Sequence, residues 1–169
     1  MRPSTLDIDL SRTAIFTGIP DEKIGKVAAL VKVEHFPADQ QIMKEGGSGS
    51  RLFILLSGEV EVTKSLVFRS GGTDPMDKSL IRLTSETCPF FGEMSLFEKN
   101  SVRNATVRTA TPCKFAVIEL ADLVRLSETD YEIGYRIFLN IAWSLSDRLN
   151  KTNNDLLKVT TALGIALER

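Results

Sequence analysis

The chain has 169 residues, 43% hydrophobic and 25% charged, with 21 Lys+Arg against 22 Asp+Glu and a formal net charge of -1. That length accommodates one globular domain with an appendage and a core of its own. The balanced charge, with no strongly basic run, argues against nucleic-acid binding driven by bulk positive charge. Residues 1–11 lack the unbroken apolar stretch of a signal peptide, and no segment reaches the roughly 18 apolar residues of a membrane helix. The expected location is the cytoplasm.

Residues 11–31 carry a helical pattern, with Ile15, Phe16, Ile19, Ile24, Val27, Ala28 and Leu30 on an apolar face. Gly18-Ile19-Pro20 interrupts it, and Asp21 is the expected cap of the restart. Short strand-like runs follow at 31–36, 41–43, 52–56 and 60–66. Pro37-Ala38-Asp39, Gly46-Gly47-Ser48-Gly49 and Ser57-Gly58-Glu59 separate them with turn chemistry. Residues 68–78 read as a mobile loop, and strands resume at 79–84, 90–91, 105–109 and 114–119. About eight short strands at this spacing predict an antiparallel roll or sandwich rather than a parallel α/β sheet. Cys88 and Cys113 stand in apolar surroundings, which predicts two buried thiols in a reducing compartment. The single histidine, His35, lies in a strand with no Cys or second His nearby, which argues against zinc.

From Asp130 the pattern is helical. Phe138, Ile141, Leu145, Leu149, Thr152, Leu156, Val159, Leu163 and Ala166 fall at alternating steps of three and four, a heptad seam over about four repeats. One amphipathic helix lying on a sheet would produce a similar stripe. Both can hold, if Ile133, Ile137 and Phe138 cover the strands while later positions pair with a second copy. Asn150, Asn153, Asn154, Asp155 and Lys158 keep the other face polar.

The most informative segment is 91–109. Gly92-Glu93 opens a short amphipathic turn, and Arg103 follows ten residues later at the start of a strand-like Asn104-Ala105-Thr106-Val107. Glycine lets backbone approach a ligand, and a helix start offers N–H donors to an anion. Carboxylate accepts hydrogen bonds, as from sugar hydroxyls, while the planar arginine fork matches phosphate oxygens. The parts suit a nucleotide, although a surface ion pair between Glu93 and Arg103 fits the spacing equally.

In its order of residue types, Phe91-Gly92-Glu93, a hydrophobic turn and Arg103-Asn104-Ala105-Thr106-Val107, the segment resembles the phosphate-binding cassette of cyclic nucleotide-binding domains, above all that of bacterial catabolite activator (cyclic AMP receptor) proteins. The stretch from Gln41 to Val62, with its glycine-bearing turn and Ser57-Gly58-Glu59-Val60 hairpin, resembles the first half of the same domain. The likeness spans roughly residues 14–157. It implies an α+β fold, an eight-stranded antiparallel β-roll (jelly roll) with N-terminal helices and a long C-terminal helix. Residues 1–129 would form the nucleotide-binding roll, and 130–169 the hinge and dimerisation coiled coil.

Carried over by this resemblance, Glu93 would accept from the ribose 2′-hydroxyl and Arg103 would pair with the cyclic phosphate. Gly92 would allow close backbone approach, and Ser95 and Asn104 would donate to phosphate or sugar. Met94 and Ala105 belong to the same set of ligand-contacting residues. Thr152 would meet adenine, with Asn153 reaching in from a second subunit; Thr152 is also the one polar seam position, which tunes register at a cost in stability. Two departures are Val102, where eukaryotic members have proline, and Asn104, where Ala, Ser or Thr is common. Asparagine selects neither purine. The expected ligand is cyclic AMP ahead of cyclic GMP, with no cofactor or metal, in a homodimer paired through the long helix.

The catabolite activators continue from that helix into a helix-turn-helix domain, whereas this sequence stops at Arg169 on the helix. The resulting expectation is a stand-alone sensor that does not bind DNA, repositions its helix about residues 127–135, and signals to a separate protein. A ligand-free domain of the same fold, acting in dimerisation or docking, is the alternative. An enzyme using Glu93 as base lacks a second carboxylate, a nucleophile–base pair or a metal set.

Overall fold

The structure, a computed structural model, describes residues 9–66, 76–97 and 102–167. Two 3-10 turns, Leu10–Arg12 and Ala14–Phe16, precede helix α1, Asp21–Ala28. The expected 11–31 helix is therefore two 3-10 turns and one short α-helix. Gly18 turns the chain at φ +76, and Pro20 rather than Asp21 takes the cap position. The Pro20 carbonyl accepts from Lys23 and Ile24 N–H, so the ring pre-sets the helix start without needing a side-chain cap.

Eight strands follow: β1 Lys32–Phe36, β2 Gln41–Met43, β3 Arg51–Ser57, β4 Glu59–Leu66, β5 Met76–Thr84, β6 Phe90–Phe91, β7 Thr106–Thr109 and β8 Cys113–Glu119. They form two antiparallel four-stranded sheets, in the orders β1-β8-β3-β6 and β2-β7-β4-β5. This is the expected eight-stranded β-roll. Strand β5 begins three residues before the pattern indicated. Met76, Asp77 and Lys78 pair with Leu66, Ser65 and Lys64, while 68–75, the rest of the expected loop, lie outside the described residues.

Strands β3 and β8 are buried on both faces, which is why they read as unbroken apolar runs. Alternate residues serve two cores. Phe53, Leu55, Phe115 and Val117 fill the space between the sheets with Val60, Phe91, Val107 and Cys113. Leu52, Ile54, Ala116 and Ile118 face the helices, meeting Ile15, Phe16, Val27, Leu123, Ile133, Ile137 and Ile141. Both cysteines are buried and free, Cys88 in the helix-side core and Cys113 between the sheets. Burial pushes the Cys113 thiol above its ordinary value.

Helix α2, Leu120–Thr129, was not anticipated; Asp130 alone separates it from α3, Tyr131–Leu167. Ile133, Ile137 and Ile141 bury the start of α3 on the roll, while Phe138, expected to cover it, is 38% exposed. Ile141 takes that place because a 3.6-residue period carries 133, 137 and 141 along one line. Beyond Leu145 every described residue of α3 is exposed, including the seam positions Leu149, Leu156, Val159 and Leu163. These last 22 residues, 146–167, extend about 33 Å at ~1.5 Å per residue.

Lys23 and Lys26 of α1 reach the corner between α2 and α3. Lys23 Nζ lies 2.8 Å from Asp130 Oδ1 and 2.8 Å from Glu132 Oε2, and Lys26 Nζ lies 2.7 Å from Asp130 Oδ2. Bonds from Lys23 and then Lys26 hold the Asp130 carboxyl well below the usual carboxylate range, and Asp130 and Glu132 lift Lys23 above the usual lysine range. A depressed carboxyl contributes stability in full above its unfolded value, 3.8, and loses it as pH falls through the folded value. The raised Lys23 contributes fully below 10.5 and loses its share as pH rises through its folded value. Melting curves from pH 7 to pH 2 are thus expected to show wild type losing more stability below about pH 4 than Asp130→Asn.

Candidate functional site

The segment after β6 turns sharply because Gly92 adopts φ +93; a Cβ there would stand 2.6 Å from the Arg51 carbonyl and 2.7 Å from Arg103 Nη1. The turn starts the 3-10 helix Glu93–Leu96 and drives the Glu93 side chain inward, where it is 1% exposed. Arg103 approaches from the other side. Its backbone is clamped by the loop between β2 and β3, with Arg103 N–H donating to Gly47 O at 2.8 Å and Gly46 N–H donating to Arg103 O at 2.9 Å. Val102 bridges to Ser48. A Cβ at Gly49 would lie 2.3 Å from Arg103 Nε, so the glycine loop makes the space that the guanidinium fills.

Arg103 is 5% exposed and aims its fork at protein acceptors. Nη1 donates to Gly92 O at 2.9 Å and to Ser95 Oγ at 3.1 Å, and Nη2 donates to Arg51 O at 2.8 Å. Burial, then the positive charge of Arg51, lowers its pKa from the ordinary guanidinium value, against the pull of Glu93. Guanidinium remains protonated throughout, so the site keeps a buried positive charge beside a buried carboxylate.

Glu93 does not form its ion pair with Arg103. Its partner is Arg148 of α3, whose Nη1 donates to Glu93 Oε1 at 2.7 Å. The same guanidinium donates through Nη2 to Phe90 O at 3.0 Å and stacks over the Phe90 ring at 5.4 Å. Sequence reasoning missed Arg148; the available signal was its place one turn before Thr152 on the polar flank of the seam. Gly46, Gly47 and Gly49, turn punctuation in the sequence, wall the arginine.

The remaining candidates divide. Ser95 lies in the site, and its hydroxyl accepts from Arg103. Asn104 Nδ2 approaches Met94 Sδ at 3.7 Å, which places both on the rim, with Ala105 half-buried beside them. Thr152 and Asn153 are exposed, and Thr152 Oγ1 donates back to the Arg148 carbonyl at 2.9 Å. Within this one chain the structure does not bring Thr152 or Asn153 into contact with the cassette. Arg108 faces outward, bound to Asp39 Oδ1 at 2.9 Å. Among the described residues there is no grouping of three or more metal-ligating side chains, and no helix is long and apolar enough to cross a membrane.

The β-roll thus places a buried carboxylate on the turn after β6 beside a buried arginine. Residues 33–130, more than half of the chain, match the family described as "Cyclic nucleotide-binding domain", and the chain belongs to that family. It is 30% identical over 98 residues to cGMP-dependent protein kinase 2 of Homo sapiens, covering 58% of this chain and 12% of the kinase. It is 27% identical over 151 residues to the CRP-like cAMP-activated global transcriptional regulator of Mycobacterium tuberculosis, covering 89% of this chain and 62% of that protein. The chain thus spans an eighth of one curated relative and under two thirds of the other. In fold it is similar to the Thermus thermophilus catabolite activator protein, with a TM-score of 0.71 at 20% identity over 88% of this chain and 63% of that one.

Proposed function

We propose that this chain is a cyclic nucleotide sensor, with the cassette from Gly92 to Ala105 as its pocket. Glu93 takes the ribose 2′-hydroxyl and Arg103 the cyclic phosphate. Gly92, Ser95 and the Met94–Asn104–Ala105 rim complete the contacts of that chain. One observation carries the reading: two opposite charges, Glu93 on the turn after β6 and Arg103 approaching from the other side, are each almost fully buried next to one another, and α3 reaches in to hold the carboxylate. Burying charge is costly unless it is used or paired. Arg148 makes the ligand's business with Glu93 also α3's, and Phe97 of the cassette touches Phe138 of α3 edge-on at 6.4 Å. A ligand that changes either contact has the differential affinity needed to shift α3.

The exposed, apolar-striped half of α3 supports pairing with a second copy, which would cover Leu149, Leu156, Val159 and Leu163 and bring Thr152 and a partner's Asn153 toward the base. The proposed ligand is cyclic AMP in preference to cyclic GMP, because the likeness to a cAMP-activated regulator spans 89% of the chain, and so at least part of α3, against 58% for the kinase. Residues 130–169 would serve as hinge and dimer helix, acting on a separate effector in the cytoplasm.

A second reading has its own observation. The Arg103 fork is already bonded to Gly92 O, Ser95 Oγ and Arg51 O, and Glu93 to Arg148, so the site is satisfied without ligand. A domain that has lost ligand and serves in docking would look this way. Calorimetric titration with cyclic AMP and cyclic GMP, alongside sedimentation of the protein with and without each, separates the two. Heat and a tighter response to cyclic AMP support the sensor; no heat and no melting shift with either nucleotide would rule it out. Gly49→Ala is expected to push Arg103 off its seat and weaken nucleotide binding about tenfold or more, since one bond to a charged group contributes ~1.5–3 kcal/mol. The same calorimetry measures it, with the melting temperature as control.

A further inference from the structure

Asp130 is the single non-helical residue between α2 and α3, at φ −134 and ψ 90, and every hydrogen-bonding group it has is tied. Its N–H donates to Leu126 O at 2.9 Å, its carbonyl accepts from Gly134 N–H at 3.0 Å, and Oδ1 also faces Ile133 N–H at 3.5 Å. The carboxylate oxygens then go one each to Lys23 and Lys26, which stand three residues apart on α1 and so share one face. Lys23 makes a second ion pair to Glu132 in the first turn of α3.

The corner is tight as well as charged. A Cβ on Gly134 would lie 2.9 Å from Ser127 Cβ and from the Ser127 carbonyl, so α2 and α3 meet there backbone to backbone. That packing leaves no room for the corner to close further. Two turns beyond it, Asn140 Nδ2 donates to Ile15 O at 3.0 Å and Thr17 O at 2.8 Å, which fixes α3 to the N-terminal turns. Seven residues from Ile141, the last buried position, stands Arg148 on Glu93. The angle at which α3 leaves residue 130 therefore sets where Arg148 falls.

We propose that the α2–α3 corner is an electrostatic catch: Lys23 and Lys26 are positioning residues that grip Asp130 and fix the departure angle of α3, and with it the seat of Arg148 on Glu93. An isolated exposed ion pair would be too weak for this, but here one carboxylate, 9% exposed, is shared by two ammonium groups in a network with Glu132. Salt screens such a network only in part, yet enough to be read, because Lys26 and Glu132 are half in solvent. The proposal extends beyond the pocket and needs no ligand, so it stands or falls separately from the nucleotide reading.

The test is amide hydrogen exchange on the full chain without ligand, for wild type, Asp130→Asn and the double variant Lys23→Met/Lys26→Met, at low and at 1 M salt. In both variants the amides of 131–148 are expected to exchange about tenfold faster than in wild type, a larger loss of protection than in β3 and β8. Added salt should move the wild-type helix toward the variants and leave the variants where they are. Equal exchange across 131–148 in all three proteins overturns the catch. So does a loss of protection as large in β3 and β8 as across 131–148, which would mark Asp130 as a general stability residue alone. A salt response of equal size in wild type and variants overturns it too.

Discussion

Replacing Arg103 with alanine is expected to weaken cyclic nucleotide binding by about a hundredfold to ten-thousandfold. Two charge-assisted bonds from the guanidinium fork to a sheltered phosphate are worth ~1.5–3 kcal/mol each, and ~1.4 kcal/mol is a factor of ten. The fold suffers less. Alanine withdraws the donor from Gly92 O, Ser95 Oγ and Arg51 O, a cost of about 1–3 kcal/mol for acceptors that water can partly re-satisfy. Binding and stability must therefore be measured together, by calorimetry and by melting. Arg103→Lys keeps the charge but loses the fork, so an intermediate affinity is expected. An alanine variant that binds as tightly as wild type would remove Arg103 from the phosphate site.

Phe115→Ala is expected to destabilise the roll by about 3–5 kcal/mol, the range for emptying a phenylalanine site in a close-packed core, and to lower the melting temperature by about 6–20 °C. Phe115 is fully buried between the sheets. Its ring centre lies 5.5 Å from that of Phe36, 6.0 Å from Phe53 and 5.9 Å from Phe91, each edge-to-face. Phe91 also stacks on Phe53 at 5.7 Å and immediately precedes Gly92. The cavity would thus open beneath the entry to the cassette, and nucleotide affinity should fall along with stability. Chemical denaturation checks the first effect. A loss under about 1 kcal/mol would mean the three neighbouring rings close over the gap.

Legibility in the sequence followed the range of the forces involved. The eight strands could be read because turn residues and apolar runs are local signals. Their partners could not be read: the order β1-β8-β3-β6 joins residues about eighty positions apart, and only the family likeness supplied that topology. The 3-10 turns at 10–16 were taken for helix because Ile15 and Phe16 repeat with the same apolar face whether the turn has three residues or 3.6. Helix α2 carried the same kind of signal, with Leu120, Leu123 and Ser127 buried along one face, but follows β8 with no turn residue to mark its start.

The site divides the same way. Gly92, Glu93, Ser95 and Arg103 are close in sequence and close in space. Arg148 lies 55 residues from Glu93, and its role rests on how α3 crosses the roll, which no local pattern encodes. The Ser95 hydroxyl accepts from Arg103, because a buried guanidinium must find acceptors, and this leaves its own O–H free to donate as expected toward a ligand.

The two free thiols lie on opposite faces of one sheet, Cys88 among the helix-side residues and Cys113 among the inter-sheet ones. Both are buried while the two layers are intact, so alkylation is expected to proceed mainly through opening. Because each thiol belongs to a different layer, the ratio of the two labelling rates records whether helices peel from the roll before the sheets part. The molecule carries a built-in pair of chemical clocks for its own unfolding order.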